Sequence, residues 1–161
     1  FIYLMNKLCK KIGMTNSVFN NPSGLDNINC NYTTAYDMAI LTNYSLKNDK
    51  FKEIYGCKKY VATIQDKKLY FRHKHRLVHN TSNIVGGKTG YTDKAGRTLV
   101  SSFYINEEII TVVTFNSRND WQIHSKFKEC LESKKNKNNT ETYNLGALKP
   151  LSERLRGKKD D

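Results

Sequence analysis

The stretch Gly86–Gly96, with the sequence GGKTGYTDKAG, decides the fold, because it joins a strand-forming segment to a short turn. Residues 86–92 predict a strand, and two further β-rich segments follow at 97–104 and 108–115. The turns at 93–96 and 105–107 are short enough to connect antiparallel neighbours as hairpins. Both faces of the segment 108–115 are apolar, which predicts a central strand covered on both sides.

Segments with helical periodicity and one further β-hairpin surround this predicted sheet. Gly13 stands where a helix C-cap belongs, and Thr33 and Thr34 offer N-caps for a later helix. The predicted elements are helices at 1–12, 35–46, 51–55 and 118–131, a loop at 15–31, and hairpin strands at 58–64 and 67–71.

These elements predict an α+β fold in which an antiparallel sheet packs against helices. Residues 1–132 are expected to form part of one domain, which suits a chain of 161 residues. From Ser133 onward the composition shifts to Lys, Asn, Glu and Thr, so residues 133–161 are predicted to be a flexible tail. The chain opens on Phe1 within an apolar periodic stretch, which suggests a piece of something longer.

The distribution of charged, apolar and cysteine residues argues against several kinds of binding site. The formal net charge is +12, but the lysines are spread along the chain and mixed with asparagine, which predicts a solvated surface and no nucleic-acid site. No apolar run reaches 18 residues and no signal peptide is recognisable, so no membrane span is expected. The four cysteines lack C-x-x-C spacing, which argues against a zinc knuckle or a dithiol redox motif.

The segment Lys88-Thr89-Gly90 (the Lys-Thr-Gly segment) admits two chemical interpretations. Gly87-Lys88-Thr89 matches the end of a phosphate-binding P-loop, but that motif needs glycine where Ser82 stands and a helix after the threonine. The second interpretation is the substrate strand of serine acyl-transferases that act on D-Ala-D-Ala or β-lactams. An ordinary hairpin with one exposed lysine would also produce the same three letters.

The chemistry of the second interpretation suits these residue types. On an edge strand Lys88 and Gly90 would point to one side and Thr89 to the other, unless a bulge near the glycine turns the threonine toward the same cleft. A lysine ammonium and a threonine hydroxyl can both bind a carboxylate. Because Gly90 has no side chain, a substrate backbone could approach the strand closely.

Further short motifs accompany this strand along the chain. They are Met5-Asn6-Lys7, Gly13-Met14, Phe19-Asn20-Asn21-Pro22-Ser23-Gly24-Leu25, Tyr32-Thr33-Thr34-Ala35-Tyr36-Asp37-Met38-Ala39, Ala95-Gly96, Leu99-Val100-Ser101-Ser102 and Arg118. In order and approximate spacing, the set resembles the penicillin-binding D-alanyl-D-alanine carboxypeptidases, the low-molecular-mass serine family. The resemblance covers about residues 1–131.

The resemblance implies an incomplete penicillin-binding/β-lactamase-like fold and a serine-type hydrolase without cofactor or metal. Lys88 and Thr89 would bind the terminal carboxylate of a peptidoglycan stem peptide ending in D-Ala-D-Ala. Gly90 would lie beside that peptide, and the backbone N–H of Tyr91 would be one oxyanion-hole donor. The complete domain would also bind β-lactams and act on the extracytoplasmic side of the membrane. β-Lactamase or transpeptidase activity is the near alternative.

The family's catalytic serine motifs, S-x-x-K and S-x-N, are not in their expected places. Ser125-Lys126-Phe127-Lys128 has the spelling of the first but lies on the last predicted helix. The nucleophile is therefore expected upstream of Phe1, and no catalytic residue is assigned within the chain. The rival hypothesis is a catalytically dead homologue, or a basic module, that binds muropeptide or anionic polymer.

A metal site at the histidines is weighed and set aside. His73 and His75 alternate on a presumed strand, with His79 as the nearest third ligand. Zinc needs three or four convergent ligands, and these three are not obviously placed for it. Surface or cleft-lining histidines are therefore the preferred interpretation.

Overall fold

The computed structural model describes residues 1–26 and 29–135. It contains five helices and five strands within that part of the chain. Their bounds are α1 Ile2–Ile12, α2 Ala35–Ser45, α3 Asp49–Gly56, β1 Lys59–Ile64, β2 Lys67–Arg72, α4 Arg76–Asn80, β3 Ile84–Thr92, β4 Gly96–Ile105, β5 Glu108–Phe115 and α5 Asp120–Lys135.

The helix caps predicted at Gly13 and Thr34 are present, and a further cap, which was not predicted, lies at Asn48. Gly13 follows α1 with φ of 89°, a left-handed conformation that glycine adopts without strain. Thr34 precedes α2, and its side chain accepts a hydrogen bond from the backbone N–H of Asp37. Asn48 does the same for Phe51 at the start of α3. Each cap satisfies a backbone donor that has no partner within its helix.

The larger sheet is antiparallel with the strand order β3-β4-β5. Its pairing is regular from Gly86↔Ser102 to Thr92↔Gly96, and one register shift lies between Ile84 and Gly86. Among the described residues β5 pairs only with β4, so this part of the chain shows one partner for the strand that was predicted to be central. Apolar side chains on both faces indicate layers on both sides of a strand. They do not indicate how many strands it pairs with.

Helices cover both faces of this sheet. On one face β4 and β5 pack against α5, where Phe103 and Ile105 form a core with Leu77 of α4. Ile84, Ile110, Val112, Trp121 and Leu131 surround that core. On the other face α2 contacts β5 and α3 contacts β3. The predicted arrangement of helices against an antiparallel sheet is therefore confirmed.

Strands β1 and β2 form a separate two-stranded sheet, called the hairpin below. Its pairing runs from Lys59↔Arg72 to Ile64↔Lys67, close to the predicted bounds. The backbone N–H of His73 donates to the carbonyl of Lys58 at its base. Nearly every residue of the hairpin is exposed, in contrast to the larger sheet.

Two boundaries differ from the sequence predictions. His73 and His75 do not lie on a strand, because β2 ends at Arg72 and the short helix α4 begins at Arg76. Helix α5 extends to Lys135, so the first three residues of the predicted tail are helical. The remaining tail residues, 136–161, lie outside the described part. Within that part no helix combines the length and apolarity needed to cross a bilayer.

Candidate active site

The edge of β3 forms one wall of a cavity of about 1090 Å³. Lys88, Thr89, Gly90 and Tyr91, the four residues predicted to bind substrate, all line it. The opposite wall comes from the loop between α1 and α2, including Ser23–Asp26 and Cys30–Thr33. The volume suits a ligand of small-peptide size.

The side chains predicted to bind substrate alternate between the two faces of β3, as expected for a strand. Thr89 pairs with Leu99 and Lys88 with Val100, so the threonine lies on the sheet face toward α5 and the lysine on the face toward α2 and α3. The bulge that could have turned Thr89 lies earlier, between Ile84 and Gly86. All four residues nevertheless line one cavity, because it extends around the edge of the strand.

Lys88 is exposed, and its ammonium donates a hydrogen bond to the carbonyl oxygen of Thr89. In an antiparallel strand both backbone groups of one residue point to the same side, and alternate residues point to the same edge. The contact therefore marks the carbonyl of Thr89 and the N–H of Tyr91 as groups on the cavity edge.

An asparagine network shapes the opposite wall. Asn21 Oδ1 accepts from the backbone N–H of Gly24 at 2.7 Å and from Ser23 Oγ at 2.9 Å, which closes the Asn-Pro-Ser-Gly turn. Asn31 Oδ1 accepts from the backbone N–H groups of Asn20 and Asn21. Side chains thus supply the hydrogen bonds that regular secondary structure would otherwise provide.

The β3–β4 turn is tied to this loop. The backbone N–H of Lys94 donates to Asp26 Oδ2 at 3.0 Å, and Lys94 Nζ lies 3.4 Å from Cys30 Sγ. The hydrogen bond with the Cys30 sulfur raises the pKa of Lys94. These contacts connect the two cavity walls at one end.

Two aromatic rings pack against β3, one on each face of the sheet. Gly86 lies directly against Tyr55, and Gly87 lies directly against the ring of His75, so neither glycine leaves space for a Cβ. The Tyr55 hydroxyl is 3.3 Å from Ser102 Oγ, and burial raises the pKa of Tyr55 to about 12, which keeps the phenol protonated. Close packing at both glycines sets the position of the strand that carries Lys88.

A buried chain of hydrogen bonds runs from His75 across β4 to α5. His75 Nε2 lies 3.1 Å from the carbonyl of Val100 and 2.9 Å from Ser101 Oγ. Ser101 Oγ lies 2.7 Å from His124 Nδ1, and His124 Nε2 lies 3.0 Å from Thr114 Oγ1. Because a carbonyl only accepts, His75 Nε2 carries the hydrogen, and Ser101 can donate onward to His124.

Both histidine rings in this chain of hydrogen bonds are kept neutral. His75 and His124 are fully buried, and burial lowers the pKa of each to about 4. His75 Nδ1 has no hydrogen-bond partner among the described residues. The expectation of surface or cleft-lining histidines is therefore wrong for His75, which belongs to the packing beneath β3.

An ion pair joins the cavity to α5. Arg97 donates from Nε and Nη2 to the two carboxylate oxygens of Asp120, each at 3.0 Å, and this pairing raises the pKa of Arg97. Asp120 is buried, whereas the arginine side chain is half exposed. Both residues line the cavity, and sequence reasoning missed them because they lie 23 positions apart without a motif.

The three neighbouring histidines bind backbone atoms. His73 Nδ1 accepts from the backbone N–H of His75, and its Nε2 contacts the carbonyl of Tyr55. His79 Nε2 contacts the carbonyl of His73 at 2.8 Å. In the described ranges no three His, Cys, Asp or Glu side chains converge in a way that could hold a metal ion.

The Ser-x-x-Lys spelling on α5 lies away from the cavity. Lys128 is buried and donates to Glu132 Oε2 at 2.7 Å, one helical turn away. Neither Ser125 nor Lys128 is among the residues that line the cavity. The lysine is therefore engaged in a structural contact within the helix.

The amino-acid sequence of the chain is similar to a known protein family and to several curated proteins. The family model described as D-alanyl-D-alanine carboxypeptidase, peptidase S11, matches residues 1–119. The chain is 36% identical over 103 residues to the D-alanyl-D-alanine carboxypeptidase DacF of Bacillus subtilis, covering 63% of this chain and 26% of that protein. It is 32% identical over 120 residues to the D-alanyl-D-alanine endopeptidase of Escherichia coli, covering 73% and 38%. The chain thus spans only about a quarter to two-fifths of these curated relatives.

Solved structures share the fold. The Streptomyces K15 DD-transpeptidase matches with a TM-score of 0.71 and 22% identity, over 80% of this chain and 51% of that one. The D-alanyl-D-alanine carboxypeptidase DacD of Francisella tularensis matches with a TM-score of 0.69 and 24% identity, over 81% and 43%. These matches confirm the penicillin-binding/β-lactamase-like α+β architecture. From the family match over residues 1–119, the chain belongs to the D-alanyl-D-alanine carboxypeptidase family, peptidase S11.

Proposed function

We propose that this chain forms the substrate-binding side of a serine-type D-Ala-D-Ala carboxypeptidase. The enzyme would remove the terminal D-Ala of peptidoglycan stem peptides through an acyl-enzyme intermediate. The observation that carries the proposal is the Lys-Thr-Gly segment on a sheet edge that walls a peptide-sized cavity. Family membership and the names of the relatives support the same reaction.

In this proposal the Lys88 ammonium and the Thr89 hydroxyl bind the terminal carboxylate of the stem peptide. Gly90 leaves room for the peptide backbone beside the strand. The N–H of Tyr91, which alternation places on the cavity edge, donates to the oxyanion as the carbonyl becomes tetrahedral. Such a donor accelerates the reaction because the negative charge develops only in the transition state.

The nucleophilic serine and its lysine are proposed to come from sequence preceding Phe1. The serine would attack the carbonyl of the penultimate D-Ala, and D-Ala would leave with a proton supplied within the site. Water would then hydrolyse the acyl-enzyme. β-Lactams would acylate the same serine, and the reaction would take place on the outer side of the cytoplasmic membrane.

The division into a domain at 1–132 and a flexible tail at 133–161 also remains a proposal. Its support is the composition change at Ser133. The extension of α5 to Lys135 moves the start of any such tail at least three residues later.

The test is release of D-Ala from a pentapeptide ending in D-Ala-D-Ala by the complete polypeptide that carries this chain. Lys88→Ala is expected to lower kcat/KM by about 100-fold or more, because charge-assisted hydrogen bonds to the substrate are lost. The matched control is Lys52→Ala on α3, an exposed lysine outside the cavity lining, which should retain most of the activity. A polypeptide that binds the peptide but neither releases D-Ala nor becomes labelled by a fluorescent penicillin would instead support a muropeptide-binding homologue.

A further inference from the structure

The cavity beside β3 is lined by more cations than carboxylates. The charged side chains among its described lining residues are Lys74, Arg76, Lys88, Lys94, Arg97, Asp26 and Asp120. The terminal carboxylate of a peptide would compensate only one of these cations. A cleft lined mainly by charges of one sign attracts ligands of the opposite sign, so this lining favours a ligand with more than one negative charge.

Arg97 is held in place by a buried carboxylate. Its Nε and Nη2 each donate to one oxygen of Asp120 at 3.0 Å. Asp120 also accepts a hydrogen bond from the backbone N–H of Trp121 at 2.8 Å. This two-point contact orients the guanidinium before a ligand arrives, so less side-chain entropy is lost on binding. In the described part of the chain Nη1 makes no hydrogen bond, which leaves a donor for a ligand.

The proposed roles of the Lys-Thr-Gly segment fix the direction of a bound peptide along β3. Its terminal carboxylate would lie at Lys88 and Thr89, and the carbonyl of the penultimate D-Ala would lie at the N–H of Tyr91. From Lys88 toward Tyr91 the peptide would therefore run from its carboxyl end toward its amino end. The residue that precedes D-Ala-D-Ala would lie at Tyr91 or beyond it.

Arg97 lies at the same level of the sheet. It pairs directly with Tyr91, so the two side chains share the sheet face toward α5. Because Arg97 is on β4, a peptide along the edge of β3 would lie two interstrand spacings away, about 10 Å. The Arg97 side chain covers part of this distance, since it lines the cavity. An acidic side chain of the peptide can extend over the same face to meet it.

The other cations of the cavity are placed differently. Lys94 lies in the β3–β4 turn, and its ammonium contacts a cysteine of the opposite wall. Arg76 follows His75, whose ring packs against Gly87, so it lies toward the carboxyl end of the peptide. Arg97 is thus the lining arginine on the amino side of the bond to be cleaved.

We propose that Arg97 determines specificity by binding a carboxylate on the side chain of the residue that precedes D-Ala-D-Ala. Asp120 acts as a positioning residue that holds the guanidinium. The proposal rests on the proposed carboxypeptidase function, because that function sets the direction of the peptide. Preferred substrates are then stem peptides with an acidic side chain at this position, over peptides in which that side chain is neutral.

The test compares N-acetyl-Glu-D-Ala-D-Ala with N-acetyl-Gln-D-Ala-D-Ala, which differ in one charge and hardly in shape. The readout is D-Ala release by the complete polypeptide that carries this chain. We expect kcat/KM to be about tenfold higher for the glutamyl peptide, because it gains a charge-assisted hydrogen bond. Arg97→Gln should abolish this preference, whereas Arg97→Lys, which keeps the charge, should retain part of it. Added salt should reduce the preference of the unaltered protein.

Arg76→Gln is the matched control, because it removes the same charge from the lining of the same cavity. It should leave the preference for the glutamyl peptide unchanged, whatever its effect on the two rates. If the Arg97–Asp120 pair is only structural, Arg97→Gln slows both peptides alike and the preference persists. That result, or an equal loss of preference in Arg76→Gln, would overturn the proposal.

Failure of this proposal is distinguishable from failure of the proposed function. Equal rates for the two peptides with the unaltered polypeptide would exclude the role of Arg97 and leave the carboxypeptidase function standing. If neither peptide is cleaved, calorimetry measures their relative affinities without turnover, and equal affinities would again exclude that role. Absence of binding by both peptides would overturn both proposals.

Discussion

The two antiparallel sheets in the described part of this chain contain similar residue types but differ in how deeply those residues are buried. In β4 the side chains of Ser101, Ser102 and Phe103 are fully buried between helices, so serines lie in the core. In the hairpin Tyr60 and Phe71 lie on the surface. The comparison teaches that layers above and below a sheet decide burial. Polarity of the side chains alone does not.

Removal of a phenylalanine ring from each sheet should give the largest difference. Phe103→Ala is expected to lower the free energy of unfolding by about 3–5 kcal/mol, because the ring is fully buried and a cavity would remain. Phe71→Ala, at a side chain that is 54% exposed, should lower it by less than about 1 kcal/mol. Urea unfolding measures both, and equal losses would show that the hairpin is packed in solution.

Addition of a methyl group at two glycines of β3 should give the next largest difference. Gly87→Ala places a Cβ against the His75 ring and the Val100 carbonyl and is expected to lower the free energy of unfolding by about 1–3 kcal/mol. Gly90→Ala meets chiefly the hydroxyl of Thr98, which can rotate away, so its effect should be smaller. The same urea titrations measure both, and a Gly90→Ala effect as large as that of Gly87→Ala would contradict the packing beneath β3.

Acidification should weaken the larger sheet. The pKa values of His75 and His124 are about 4 in the folded chain because of burial, whereas an unfolded histidine has a pKa of about 6.5. Between these values the unfolded chain binds more protons, so stability is fully present above about pH 6.5 and falls as the pH drops toward 4. The expected loss is on the order of several kcal/mol for the pair, because each unit of pKa difference corresponds to about 1.4 kcal/mol.

Urea titrations at several pH values measure this loss. His124→Gln should flatten the dependence, because one of the two buried rings no longer titrates. Loss of pH dependence in a hairpin variant such as Phe71→Ala would contradict the assignment, since residues 59–72 contain no histidine.

Arginine substitutions should give the smallest contrast. Arg97→Gln breaks a two-point contact with the buried Asp120 and is expected to lower the urea midpoint. Arg72→Gln, on the exposed hairpin without an ion pair in the described residues, should leave that midpoint unchanged. Because Arg97 is half exposed, added salt should reduce its effect. An equal shift for both variants would show that net charge, and no specific pair, sets the midpoint.

Local signals in the sequence predicted most elements of the fold. Gly13 and Thr34 act at helix ends through their own backbone or side chains, so a short window is sufficient to predict them. The segments 97–104 and 108–115 are strands within one residue or two of the structure. The site residues Lys88–Tyr91 line one cavity, as the motif suggested, and their roles remain predictions.

Long-range packing explains what the sequence could not predict. The strands that pair with β5 cannot be deduced from its apolar faces, which report only the layers above and below the sheet. The burial of His75 depends on Gly87 and Ser101, which approach it only after folding. The Arg97–Asp120 pair likewise depends on where α5 returns to the sheet.

The contact from Lys88 to the Thr89 carbonyl has a consequence for ligand choice. A peptide that reaches the outer edge of β3 meets a carbonyl that already has a donor, so its arrival is an exchange of partners. A neutral peptide end would replace one hydrogen bond with another of similar strength. Only a ligand with a negative terminus gives the released ammonium a stronger partner. Under the proposed function, the unliganded strand would therefore discriminate by competition, favouring charged ends over neutral ones before any chemistry begins.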